Sequence, residues 1–468
     1  MLSLVSPVAL TAAPLAEADH ATLLSYFGLN LSSGALVGLA IGIFALTYLL
    51  ILLEHYVHRT VAALLGACGV MVLGLLTPDQ AWRSIDFNTI FLLFGMMNIV
   101  NVLSRSGFFD LVARRALILT RGNPARVLWI FSVLTAVFSA FLDNVTTVLF
   151  MAPVVVTVAL RLGLKPLPYL IAVILASNTG GAATLVGDPP NIIIGSVAGK
   201  GFGEFLVNVA PYALVATALG IALMHWLMAR RGDMNTAASA EMLRSVMADT
   251  TPIRTDPKLM RQALSVFAVT LLFFIVGHPI GIEAGLVALT TSTFLMLIAD
   301  LTPVELFEQV EWTTLLFFMG LFIVVGGLEH VGVFTSVASS LTGAIGGDLG
   351  LGILLVGFGS AIISGFVDNI PFTISMASVL RELQGNTTGA LAGVSIDPLW
   401  WALSLGACLG GNLTLIGASA NIVVADIAAR EGHPMSFGQF IRYGSPIALI
   451  TVTLAVGLYY LVYTLGQA

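Results

Sequence analysis

The sequence predicts an all-α polytopic membrane protein built from two related halves. Three observations carry this. The 468 residues are 58% hydrophobic and only 9% charged, with mean hydropathy +1.00, whereas a soluble domain carries about 25% charged residues. Apolar runs long enough for about 30 Å of hydrocarbon recur along the chain. One polar pattern also appears twice: Asp143-Asn144 followed by Gly180-Gly181 and Asn191, then Asp368-Asn369 followed by Gly410-Gly411 and Asn421.

Uninterrupted runs fall at 33–53, 61–76, 89–104, 207–228, 261–278, 284–299, 313–329 and 444–466. Four further apolar stretches carry polar breaks. Residues 127–160 hold Asp143-Asn144 near their middle, and 351–380 hold Asp368-Asn369. Each arm has about 15 residues by this reading, short for a full crossing, so both stretches are expected to be re-entrant hairpins. Residues 168–199 and 398–430 contain glycine-rich breaks and are expected to cross as discontinuous helices. The segment 107–119, with Arg114 and Arg115 beside apolar residues, is expected to lie along the interface.

The repeat extends beyond the polar pattern. Asp86, Gly95 and Gly107 match Glu311, Gly320 and Gly332 at an offset of 225 residues. Gly181, Thr184, Gly187 and Asn191 match Gly411, Thr414, Gly417 and Asn421 at 230. The expected organisation is an N-terminal extramembrane segment 1–32, a first repeat 33–228, a cytoplasmic linker 229–257 and a second repeat 258–466. Thr250-Thr251-Pro252 and Asp256-Pro257 read as turns within that linker.

Five crossings plus one hairpin per repeat is an odd number of crossings, so the second repeat would be inverted in the membrane. With both termini outside, sixteen Lys and Arg residues fall in inside loops and three (Arg83, Lys200 and Arg381) outside. That distribution obeys the positive-inside rule for an inner membrane. The two hairpin tips would then approach the midplane from opposite faces.

Some classes are excluded. No basic, aromatic-interleaved stretch points to nucleic acid. Cys68 and Cys408 lie far apart in apolar runs and define no disulfide framework or metal site. Residues 1–16 lack a basic n-region, so a cleaved signal peptide is not favoured. No P-loop is present, so coupling to ATP would need a separate ATPase subunit. An intramembrane aspartyl protease using Asp143 and Asp188 would carry Gly-x-Gly-Asp, whereas the chain has Leu185-Val186-Gly187-Asp188. No enzymatic activity and no cofactor beyond H⁺ or Na⁺ as coupling ion are expected.

Acids inside a bilayer are costly and mark ion or proton pathways. Asp143 and Asp368 are therefore the first candidates for coupling, and N-capping of the hairpins' second arms is the structural alternative. Asn144, Thr146, Thr147, Asn369 and Thr373 stand beside them as oxygen-bearing contacts for solute or ion. In the breaks, Gly180, Gly181 and Gly187 are expected to allow backbone turns. Pro189-Pro190 would open the following half-helix, and Thr184, Asn191, Thr414 and Asn421 would face the solute. Close helix packing is the alternative for the glycines. Asp188, which faces Ala418 in the other repeat, is either a third coupling acid or the cap of the helix at Pro189. Asn412 faces Ala182. Asn98 and Asn101 face Ile323 and Gly326, share one helix face and serve either solute or interhelical contact. Weaker clusters are Glu54, His55 and His58, then Glu329-His330, and Asp426.

Phe141-Leu142-Asp143-Asn144-Val145-Thr146-Thr147, then Thr179 to Thr184 and Gly187-Asp188-Pro189-Pro190-Asn191, resembles the ion-transporter superfamily. The resemblance is to the branch of arsenical-pump permeases, NhaD-type sodium/proton antiporters and the pink-eyed-dilution P-protein. It covers roughly 33–466. It implies an elevator: a scaffold domain of outer helices and a moving transport domain holding both hairpins and both broken helices, commonly in a homodimer. Relatives that carry carboxylates have Ser-Asn-Thr at the tips. An acid replaces the serine here, which favours proton coupling. The expected activity is proton-coupled efflux of arsenite or antimonite, small inorganic solutes that are mostly neutral trihydroxides near neutral pH. A Na⁺/H⁺ antiporter, or a permease for another small anion, is the alternative.

Overall fold

The computed structural model describes residues 32–53, 56–234, 254–385, 391 and 393–467. Among these residues the chain forms 21 α-helices and no strand. Nine of the helices are long and apolar enough to cross a membrane. The expected N-terminal segment and most of the linker lie outside the described residues, as do Glu54 and His55.

The first half contributes α1 (Ser33–Leu52), α2 (Arg59–Val72), α3 (Pro78–Ser84), α4 (Phe87–Arg105), α5 (Phe108–Thr120), α6 (Pro124–Phe141), α7 (Asn144–Arg161), α8 (Pro166–Gly181), α9 (Pro189–Ala198), α10 (Phe202–Asn208) and α11 (Ala210–Arg231). The second half contributes α12 (Pro257–Gly277), α13 (Ala284–Ile298), α14 (Pro303–Phe307), α15 (Trp312–His330), α16 (Val333–Ile345), α17 (Leu349–Phe366), α18 (Asn369–Gly385), α19 (Asp397–Gly410), α20 (Ser419–Arg430) and α21 (Phe437–Gln467). The sequence sets many of these starts. Proline stands at the first position of α6, α8, α9 and α12, where its missing N–H is no loss. Asp86 caps α4 through the Asn88 and Thr89 amides, and Asp348 caps α17 in the same way.

Several helices of the two halves match in order and length. α4 and α15 each have 19 residues, α5 and α16 have 13, and α6 and α17 have 18. Packing between halves is reciprocal. α4 lies on α13, and its counterpart α15 lies on α2; α9 lies on α18, and its counterpart α20 lies on α7. Such crosswise pairing is what a pseudo-twofold arrangement requires.

The interrupted stretches fold as helix–break–helix. Phe109 touches Phe138 of α6 edge-on and stacks on Phe150 of α7, with ring centroids 5.4 and 4.5 Å away. One ring could not reach both arms if α6 and α7 ran end to end, so the chain reverses at Leu142-Asp143. The arms differ from expectation in length. α6 and α7 have 18 residues each, because α6 starts at Pro124 and α7 runs to Arg161, beyond the apolar run. At 1.5 Å per residue, each arm is about 27 Å long, so arm length does not distinguish a re-entrant hairpin from two crossings. The 107–119 segment is the helix α5.

Candidate functional site

Both breaks and both hairpin turns converge on one buried polar centre. Its middle is Asp188, which has no exposed surface. Asn144, first residue of α7, donates from Nδ2 to Asp188 Oδ1 at 3.1 Å. Asn369, first residue of α18, donates to the same oxygen at 3.3 Å and to Oδ2 at 3.5 Å. One carboxylate from the first broken helix thus holds the tips of both hairpins. The capping alternative for Asp188 is overturned: its side chain makes no cap bond to α9. Its extended backbone directs the carboxylate toward the tips instead.

The tip acids do cap their helices. Asp143 Oδ2 accepts from the Thr146 amide at 3.1 Å and from Thr146 Oγ1 at 3.3 Å. Asp368 Oδ1 accepts from the Ile370 amide at 3.1 Å, and its Oδ2 from Ser419 Oγ at 2.7 Å. Asp143 is 8% exposed and Asp368 5%. Three oxygens of the first tip are buried without a hydrogen-bond partner: Asp143 Oδ1, Asn144 Oδ1 and Thr147 Oγ1. Leaving such an atom unpaired costs about 1–3 kcal/mol. Residues three and four apart share a face at a helix start, so Thr147 stands over Asn144 and Asp143. At the second tip the position of Thr147 is taken by Phe372, and Thr373 Oγ1 bonds back to Asn369 O on its own helix at 2.6 Å.

The breaks are held by matched bonds. Asn191 Nδ2 donates to Ala182 O and Thr184 O at 3.0 and 2.9 Å. Asn421 Nδ2 donates to Gly411 O and Thr414 O at 2.8 and 3.0 Å. Thr184 Oγ1 donates to Ala140 O and Thr414 Oγ1 to Gly365 O, tying each break to the first arm of its own hairpin. The glycines act by size, not by unusual torsion. Gly180, Gly181 and Gly187 are absent from the positive-φ residues, which corrects the expectation of turns that only glycine allows. A Cβ at Gly180 would collide with the Ala136 backbone, and one at Gly410 with the equivalent Ala361 backbone. Close helix packing is therefore the role of Gly180 and Gly410, while Gly181 and Gly187 let the break fold tightly against itself.

Asn412 and Asn421 join the centre through Asn178, whose Nδ2 donates to both of their Oδ1 atoms at 2.9 Å. Asn178 was not singled out in the sequence, although its counterpart at an offset of 230 is Cys408, the same kind of mismatch that marked Asp188 and Asn412. Cys408 Sγ reaches Asn191 Oδ1 at 3.5 Å, the mirror of the Asn178–Asn421 bond. Ser404 also donates to Asn191 Oδ1, at 2.6 Å. Asn98 and Asn101 are not brought into this network. Asn98 Nδ2 donates to Phe94 O of its own helix, and Asn101 Nδ2 to Gln309 O. His58 accepts from the Thr60 amide at the start of α2, Glu329 and His330 end α15, and Asp426 is exposed on α20.

Hydrogen bonds join the hairpin and broken-helix elements to the outer helices, among them two near the centre. Tyr48 Oη donates to Pro371 O at 2.6 Å, and Asn88 Nδ2 to Ser196 Oγ at 3.0 Å. Two clefts of about 190 and 300 Å³ flank the far half of α9, one lined by Asn88, Lys200 and His278 and the other by Arg83, Glu329 and Arg381.

Helices broken in pairs around a desolvated cluster of Asp, Asn and Thr, inside nine apolar helices, define a multi-pass membrane transporter. The comparisons specify it further. The family model for citrate transporters (CitMHS) matches residues 48–406, and the chain belongs to that family. An uncharacterized transporter of Mycobacterium tuberculosis is 41% identical over 422 residues, covering 89% of this chain and 96% of its own length. The human P protein is 35% identical over 507 residues, covering 91% of this chain and 59% of its own. Among solved structures, the YdaH transporter of Alcanivorax borkumensis has the same fold. Its TM-score is 0.52 at 13% identity, covering 93% of this chain and 98% of its own.

Proposed function

We propose that the chain is a secondary active transporter in which Asp188 and the two hairpin tips form the coupling and solute site. The observation that carries this reading is the meeting of both tips on the single buried carboxylate of Asp188. A carboxylate shared by two tips is sensitive to the position of both. Protonation, or capture of a sodium ion at the unpartnered oxygens of the first tip, changes what the amides donate to. Binding of ion and solute is thereby linked.

The solute favoured on chemical grounds is a small, neutral, hydroxyl-rich species, with arsenite or antimonite as the leading case. The hydrogen-bonding groups of the centre are amides, hydroxyls and carboxylates, suited to a trihydroxide. The preferred reaction is efflux of that solute in exchange for protons, and Na⁺/H⁺ exchange uses the same acids. A second reading follows from the family description. A citrate-like carboxylate would enter a site with three aspartates only with its charge balanced by protons or a bound cation. The reciprocal packing of the halves supports repeats inverted in the membrane, and an elevator motion is carried over from the family resemblance.

The test is transport by the purified chain in proteoliposomes carrying a pH-sensitive dye. Arsenite, antimonite, citrate with and without Mg²⁺, and Na⁺ are added separately. The expected result is a proton flux driven by one of these and abolished by Asp188→Asn. Undiminished flux in that variant would remove Asp188 from the mechanism.

A further inference from the structure

Four asparagines form a relay whose orientations are all fixed from one end. Asn421 begins it. Its Nδ2 is held by two backbone carbonyls, Gly411 O and Thr414 O, which only accept. Asn421 Oδ1 must therefore face the other way, where Asn178 Nδ2 donates to it. The same Nδ2 donates to Asn412 Oδ1. With its amino group committed to the second half, Asn178 presents Oδ1 to the first tip, and Asn144 Nδ2 donates to it at 3.2 Å. Asn144 Nδ2 also donates to Asp188. The atom left over is Asn144 Oδ1, buried and unpartnered beside the tip that also holds Asp143 Oδ1 and Thr147 Oγ1. A flip of any one amide would set like groups against each other.

The second tip has no such relay. Cys408, in the position of Asn178, offers a weak donor and no carbonyl oxygen. Asn369 Nδ2 accordingly has Asp188 as its side-chain acceptor. The break of the second half thus sets the oxygen geometry of the first tip, and the reverse wire is missing.

We propose that Asn178 is a positioning residue for the coupling ion, turning the Asn144 carbonyl oxygen toward a sodium ion or toward the acid proton of Asp143. This inference rests on the reading that the first tip holds that ion. When Asn178 is changed, Asn144 Nδ2 loses one of its two acceptors and keeps Asp188, so its carbonyl is held less firmly: ion affinity should fall while turnover survives.

The experiment uses the full chain in proteoliposomes, with rates measured against Na⁺ at fixed pH and against pH without Na⁺. N178C copies the second half. N178L removes the acceptor facing Asn144 at similar volume and carries the test should N178C not fold, whereas N178D keeps that acceptor and serves as the conservative control. In N178C and N178L the half-saturating concentration of the ion that drives the parent should rise about tenfold, with the maximal rate within about threefold, and N178D should stay near the parent value. Ion-induced thermal stabilisation in detergent should need a matching increase. Parent-like half-saturation in N178C or N178L, or a loss confined to the maximal rate, would overturn the positioning role alone. A parent indifferent to both Na⁺ and pH would overturn the tip reading itself, and this inference with it.

Discussion

The two hairpin tips begin with the same residues and end in different states. Asp143-Asn144 and Asp368-Asn369 each cap a helix and each send an amide to Asp188. At the second tip, both Asp368 oxygens are occupied, one by a backbone amide and one by Ser419. At the first, three oxygens stay buried and unpaired. The two tips share their geometry and differ in polarity at a few aligned positions: Thr146 and Thr147 against Pro371 and Phe372, Asn178 against Cys408, Asp188 against Ala418. Matching residues hold the breaks together, whereas the unmatched ones differ in the oxygens they leave unpaired, and the proposed function puts the ion there. Unsatisfied buried oxygens are expensive, and a cation or a proton is what relieves them.

This comparison can be broken at several points. The largest effect should come from Asp188, which both tips share. Asp188→Asn should lower coupled transport about a hundredfold, because the charge and the titratable group are lost while an amide oxygen can still accept from Asn144 and Asn369. Transport assays beside a thermal melt check this, and the melt should move little. Next comes the symmetric pair Gly180→Ala and Gly410→Ala. Each Cβ would collide with an equivalent helix backbone, so each should destabilise the protein by about 1–3 kcal/mol. Unequal losses in thermal unfolding would show that the two helix contacts are not equivalent. Thr147→Val and Thr373→Val should separate the tips. The first removes a candidate ion ligand and should raise the half-saturating ion concentration about fivefold. The second removes a bond within one helix turn and should leave that value unchanged. The smallest effect is expected from Ser419→Ala, which frees one Asp368 oxygen and should cost about 1 kcal/mol in stability.

Much of this was legible in the sequence. The apolar runs, the breaks and the 225- and 230-residue offsets anticipate α4 against α15 and α6 against α17, because lipid leaves few ways to span. The tips and breaks stood out as polar residues in an apolar setting. Polarity alone does not say what satisfies it. Asn98 looked like Asn178 in this respect, yet one bonds its own helix turn and the other bridges the two halves. Asp188 stood beside Pro189 like a helix cap, and only the approach of two tips distant in sequence reveals its partners. The glycines were visible as a cluster, but whether they bend the backbone or let helices approach depends on neighbours such as Ala136 and Ala361.

The most direct test of the asymmetry compares Asp143→Asn with Asp368→Asn in the same proteoliposomes, scored by the dependence of solute flux on pH and Na⁺. The account predicts that Asp143→Asn uncouples flux from the ion. It predicts that Asp368→Asn keeps the parent's ion dependence, since an amide oxygen there still accepts a hydrogen bond. Equal loss in both, or loss only in Asp368→Asn, would contradict it.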